Sequence, residues 1–318
     1  MNSRNHNKVL IIGAGQIGTF SARALAEEGI STICADLEPS PGFFHRFGPT
    51  QDVKLTQLDM CNREAVRELL AQEQCNTIVL CAGLLGSEIE TDPDRARAVN
   101  VDGVSTVAEV ATEMGTERLI YVSSFAVYGL SDGAPMQESD PPVPRHLYGK
   151  LIFEAEDVLH RITNQRSQVV VLRPAGVFGP IRYGRGSHSA RLFERLVYRA
   201  FSGFETKIQA ASNDTDEYIY VKDVASAILL AVLKDFDSDY QIFNVGTGQL
   251  SKAKDLVVSL SSVIPQVKLV IEEIENRTGS KRGPLDMSKA KTVLGFSPQF
   301  DLVAGLNDYI REVGLHGA

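Results

Sequence analysis

The chain has 318 residues, 43% of them hydrophobic, so it can bury one large core or two closely joined ones without disulfide or metal staples. A net charge of −8 sets the mean field against nucleic acid and anionic membrane, and no apolar run approaches the roughly 20 residues that a membrane helix needs. The cysteines, Cys34, Cys61, Cys75 and Cys81, contain no Cys-x-x-Cys pair and form no metal-ligand pattern; they are read as core thiols of a cytoplasmic protein.

Residues 1–7 are polar and read as a frayed tail. Val9-Leu10-Ile11-Ile12 is a strand, and Gly13-Ala14-Gly15-Gln16-Ile17-Gly18 follows it at once, opening a helical pattern over 17–28. A GxGxxG between strand and helix bends tightly, lets backbone approach a pyrophosphate and offers a helix N-terminus to its charge. The next strand, 32–35, ends at Asp36, where an acid about 20 residues past the glycines accepts both ribose hydroxyls of adenosine and repels a 2′-phosphate. Leu37 follows it and Glu38 adds to the repulsion, so NAD(H) is expected over NADP.

Strands are then expected at 53–57, 77–81, 119–123 and 169–172, with helices near 63–72, 95–114 and 148–162. This alternation predicts an α/β fold, a Rossmann-type doubly wound parallel sheet. Ligands bind beyond the carboxyl ends of such strands, which adds Asp59, Met60, Cys81, Ala82 and Gly83 to the expected cofactor wall. Asp59 fits an adenine contact or a solvated loop acid equally well. Past Arg173 come a Pro/Gly loop, a basic helix at 190–201, a helix at 221–233 and a strand at 241–245, the last two still belonging to the main layer. The expected division is therefore a cofactor domain of 1–173 plus about 221–248, and an interleaved, smaller substrate domain of about 174–220 plus 249–318.

Tyr121-Val122-Ser123-Ser124-Phe125-Ala126-Val127-Tyr128-Gly129 resembles the extended short-chain dehydrogenase/reductase group, also called the NAD-dependent epimerase/dehydratase family. Asn100-Val101-Asp102-Gly103, Leu172 to Pro180, Tyr218 to Ala225, Asn244 to Gly248 and Asp286 to Ala290 resemble further signatures, in order. The resemblance implies Asn100, Pro174 and Val177 near the cofactor and hydride transfer at a substrate carbon. It also implies Ser124 as the orienting hydroxyl, Tyr148 as acid/base, and pairing of two copies through the helices at 95–114 and 148–162.

The family's lysine, four residues past the tyrosine, keeps the phenol ionisable near neutrality; here that position is Ile152. Lys150 lies two residues past Tyr148, roughly 200° around a helix. An alternative register makes His146 the acid/base and Lys150 its i+4 partner, but helix periodicity favours Tyr148, which shares a face with Leu151, Ile152, Ala155, Val158, Leu159 and Ile162. Lys150 then reads as a surface lysine paired with Glu154.

Phe125-Ala126 replaces the Asp-Glu of related dehydratases, and Ala126 also the Glu of decarboxylases, which disfavours both. The resemblance places a diphosphate-binding Asn and Arg at positions held here by Gly176 and Asp216. Arg277-Thr278-Gly279 resembles another phosphate-contacting stretch, while Arg182, Arg185, Arg191, Arg195 and Arg199 form either an anion-facing cluster or a solvated helix face. Arg182 and Arg185, in a loop whose Gly184 and Gly186 would let it move, are the better substrate candidates with Arg277. The leading expectation is an NAD-dependent oxidoreductase or epimerase for a secondary alcohol or ketone of a polar, sugar-like small molecule, weakened by Ile152. A cofactor-binding sensing or assembly protein and a nucleotide-sugar 4-epimerase are the alternatives.

Overall fold

The computed structural model describes residues 8–51, 53–129, 131–162, 167–182, 185–211, 214–274 and 282–315. The tail at 1–7, Gly184 and Arg277 lie outside the described residues. The first half runs β1 (Val9–Ile12), α1 (Gln16–Glu27), β2 (Thr32–Asp36), α2 (Pro41–Phe47), β3 (Lys54–Gln57), α3 (Arg63–Glu73), β4 (Thr77–Leu80), α4 (Ser87–Thr91), α5 (Pro93–Arg97), α6 (Val104–Glu113), β5 (Arg118–Val122) and α7 (Leu147–Ile162). Next come β6 (Gln168–Pro174), β7 (Gly176–Phe178), α8 (His188–Phe201), β8 (Thr206–Ala210), β9 (Tyr218–Tyr220), α9 (Val221–Leu233), β10 (Tyr240–Val245), α10 (Ala253–Val263), β11 (Leu269–Glu273) and α11 (Leu302–Glu312).

Seven parallel strands form one sheet in the order β10-β6-β5-β4-β1-β2-β3. The order reverses beside β1, which opens a crevice between the carboxyl ends of β1 and β4. β1 and β4 are buried along their whole length, which explains why they read as unbroken apolar runs rather than alternating ones. The helix expected at 95–114 is interrupted: Asp92 caps α5, Pro93 starts it, and a wider i→i+5 turn over Ala98–Gly103 leads into α6. That bulge buries Asn100. Cys61 departs from the core-thiol expectation, being exposed with Sγ 3.6 Å from the Ala98 carbonyl. Two small parallel pairs, β7·β9 and β8·β11, carry the later segments.

Candidate active site

At the end of β1 the glycines divide their work. Gly13 has φ +102°, and a Cβ there would lie 2.6 Å from the Ala82 nitrogen; one on Gly18 would lie 1.9 Å from the Gly13 carbonyl oxygen. Those two positions therefore close the turn against the β4 loop and against itself. Gly15 is exposed, has nothing within 4 Å of where a Cβ would stand, and precedes α1 without any side-chain cap. The first-turn N–H groups of α1 are left facing the crevice, an anion-binding end with no acid in that turn to compete. Gln16 Nε2 is buried there without a hydrogen-bond partner, while Ile17 packs against the core.

Asp36 closes this corner. Its Oδ2 accepts from the Ala14 N–H at 2.8 Å and its Oδ1 from the Glu38 N–H at 2.9 Å, so the carboxylate is held beside the glycine turn with lone pairs to spare. Leu37, 47% exposed, offers an apolar surface next to it. Asp59 is exposed and its Oδ1 accepts from the Cys61 N–H at 2.9 Å, a local turn; Met60 is buried behind it. Across the crevice, the Cys81 and Ala82 N–H groups donate to the Ile12 carbonyl at 2.8 and 2.9 Å. Asn100 ties the following loop by bonding the Leu84 N–H and carbonyl, and a Cβ on Gly83 would meet its Oδ1 at 3.2 Å. Pro174, at the end of β6, and Val177, in β7, are buried. An open backbone face, a free helix end, an orphaned amide and a positioned acid together fit a dinucleotide.

Ser124 and Tyr148 lie close together. Ser124 is buried and accepts from the Ala126 N–H at 3.1 Å, and its hydroxyl lies near enough to the half-buried Tyr148 to act on the phenol. Burial pushes the Tyr148 phenol up to about 12, the Ser124 hydroxyl acting in the opposite direction. No cation contributes to that balance. Ile152, one turn along α7, is 5% exposed and belongs to the central apolar core. Lys150 and His146 are both exposed, Lys150 donating its N–H to the His146 carbonyl at 3.1 Å. The expected Lys150–Glu154 pair is not formed; Arg97 from α5 takes Glu154 through two bonds of 2.5 and 2.6 Å, because a guanidinium fork suits both carboxylate oxygens.

Immediately behind the pair lies a charged cluster that the sequence reading missed. Arg173 at the end of β6 bonds Glu156 of α7 through Nε (3.0 Å) and Nη2 (2.6 Å), both side chains 2% exposed. Its Nη1 donates to the Tyr128 hydroxyl at 2.9 Å, and Tyr128 donates to Asn244 Oδ1 at 2.7 Å. Ser123, one residue before the site serine, donates to Glu156. Burial also holds the Tyr128 phenol up, at about 12.

The arginines expected to meet substrate diverge. Arg182 donates to the Glu38 carbonyl at 3.4 Å, and Arg185 bonds the Glu38 carboxylate at 3.0 Å and approaches Glu88 at 3.7 Å. Both therefore face the corner that holds Asp36, drawn by Glu38, whose charge the sequence reading used only against a 2′-phosphate. Arg195 and Arg199 line a separate, shallow cavity of about 400 Å³ with Thr206, Lys207 and Glu272. A Cβ on Gly176 would lie 2.5 Å from Ser189 Oγ, so no asparagine fits there unaided. Asp216 is half-buried beside β9, and burial raises its carboxyl while Arg282 opposes the shift.

The doubly wound sheet, the glycine turn with its acid-ended second strand and the Ser–Tyr pair define the class of dinucleotide-binding proteins with a hydroxyl pair at the strand ends. The family model described as the NAD dependent epimerase/dehydratase family matches residues 9–246, and the chain belongs to that family, which is NAD-dependent. A UDP-glucose 4-epimerase of Rhizobium leguminosarum bv. trifolii is 30% identical over 316 residues, 92% of this chain and 93% of the relative. One from Rhizobium meliloti is 28% identical, with 95% of each chain covered. In fold, the chain is similar to the UDP-glucose 4-epimerase of Thermotoga maritima with UDP-glucose (TM-score 0.84, 23% identity, 96% and 98% coverage). It is also similar to that of Thermus thermophilus with NAD (TM-score 0.84, 22% identity, 98% and 100% coverage).

Proposed function

We propose that the protein is an NAD-dependent epimerase acting at a secondary alcohol of a nucleotide-linked sugar. The single observation that carries this reading is the approach of Tyr148, at the start of α7, to the buried Ser124 just past β5, in a chain that UDP-glucose 4-epimerases match over nearly its full length. NAD, when bound, supplies the acceptor and then the donor of the hydride. Gly13, Gly15, Gly18 and Asp36 are the residues that would hold it, with the wall residues already described. Ser124 orients the reacting oxygen and Tyr148 exchanges a proton with it. The reading includes the division into a cofactor domain (1–173 plus about 221–248) and a substrate domain formed by the remainder. It also includes pairing of two copies through α6 and α7, which a sedimentation mass of a single chain would remove.

With its phenol held up at about 12, Tyr148 is a ready proton donor at pH 7 and a poor acceptor. The reductive half of the reaction is accordingly the easier one, and oxidation is slow and favoured by alkali. NAD-loaded protein should convert UDP-galactose to UDP-glucose without net NADH, and Tyr148→Phe should lower the rate by about a hundredfold or more. Net NADH-dependent ketone reduction, without inversion, would instead mark a reductase. Tight NADH binding with neither reaction would favour the second reading, a cofactor-binding sensing or assembly protein, for which the buried Ile152 speaks.

A further inference from the structure

The charge removed from the substrate side at Asp216 is replaced from a different segment. Residues 282–285 are clamped at both ends: the Gly283 N–H donates to Ser131 Oγ and the Leu285 N–H to Glu217 Oε2, each at 2.7 Å. Gly283 is pressed against the 131–134 loop so closely that a Cβ would lie 1.7 Å from the Ala134 carbonyl oxygen. This fixes Arg282. Its Cζ stands 4.2 Å from the centroid of the Phe125 ring, one residue from Ser124, and its Nε donates to the Gly129 carbonyl at 3.2 Å.

Among the described residues, no protein acceptor meets either Nη of Arg282. Stacking and one bond satisfy one face and one nitrogen of a fork that has five N–H donors. Burial, the largest influence, lowers its pKa; Asp216 opposes this and Arg145 adds to it. A guanidinium remains charged nonetheless, so a half-buried fork with two open nitrogens calls for oxygen acceptors that the described residues do not provide. Asp216 is no full substitute, since its Oδ1 accepts from the Glu217 N–H at 3.0 Å.

We propose that Arg282 is the substrate's anion anchor, its two Nη groups taking the oxygens of a phosphate or carboxylate on the sugar nucleotide beside Phe125. The proposal rests on the nucleotide-sugar reading above and names a residue that reading did not contain. Arg277 has no part in it.

The NAD-loaded protein would be titrated calorimetrically with UDP, uridine, UDP-glucose and UDP-glucuronic acid, using wild type, Arg282→Gln and Arg282→Lys. NADH affinity serves as the check that each variant is folded. Arg282→Gln should weaken UDP tenfold or more while leaving uridine unchanged if the anchor holds phosphate. It should instead weaken UDP-glucuronic acid alone, relative to UDP-glucose and UDP, if the anchor holds a carboxylate. In either case Arg282→Lys should recover part of the loss. Equal affinities in wild type and Arg282→Gln for all four would overturn the anchor and leave the nucleotide-sugar reading standing. Failure of wild type to bind any of them would overturn both.

Discussion

Successive turns of one side of α7 meet the same sheet and are built oppositely. Toward β6, Glu156 is engaged by both arms of the Arg173 guanidinium and by Ser123, a buried charge with every oxygen occupied. Toward the crevice, Tyr148 has Ser124 as its polar partner and Ile152 where a cation would ease its ionisation. The helix thus places its charge in the scaffold and leaves the Tyr148 phenol without one. Rigidity behind the site and chemical reluctance within it come from neighbouring turns of a single element.

The scaffold side should break hardest. Arg173→Met would strand the Glu156 carboxylate among buried groups and cost about 3–5 kcal/mol in denaturant unfolding, whereas Arg173→Met with Glu156→Leu should recover most of it. A single variant as stable as wild type would show that the pair carries no such role. Gly15→Ala comes next: with φ −76° and open space around the new methyl, stability should stay within about 0.5 kcal/mol while NADH binding weakens tenfold or more. An unchanged NADH affinity would mean that the crevice is not lined by that backbone.

The cofactor end was legible because its rules are backbone rules. A positive φ at Gly13, a blocked Cβ at Gly18 and an acid ending β2 are written in residue type and spacing, and each is where the pattern placed it. The substrate end obeys no such spacing. Arg182 and Arg185 were attractive as loop cations, yet the loop folds toward Glu38, 144 and 147 residues earlier. Glu156 and Arg173 are separated by 17 residues, and only the crossing of α7 over β6 makes them partners. The one readable hint was that Glu156 follows Ala155 on the buried half of the helix. Arg282 gave no sequence signal, since what qualifies it is the Phe125 ring beneath it.

Ile152→Lys sharpens the contrast by lending the crevice face the charge it lacks. Lowering the phenol pKa favours the deprotonated form, so oxidation at pH 7 should quicken by about tenfold and its alkaline rise should begin at lower pH. In wild type the oxidation rate should climb about tenfold per pH unit while the phenol, at about 12, remains mostly protonated. A lysine in that apolar pocket also lowers stability, so rates are compared per molecule that binds NADH. No gain in turnover, with binding intact, would point to the sensing or assembly reading.

The smallest effect belongs to the outer face of the same helix. Lys150 is exposed, and Glu154 is held by Arg97 rather than by it. Lys150→Ala should therefore change neither turnover nor its pH profile, and Arg97→Ala should leave stability to denaturant essentially unchanged, since both partners of that pair remain solvated. Loss of oxidation in Lys150→Ala would be the informative surprise. It would mean that the helix turns Lys150 inward when the crevice is filled, restoring the alternative register with His146 and removing Tyr148 from its assigned part.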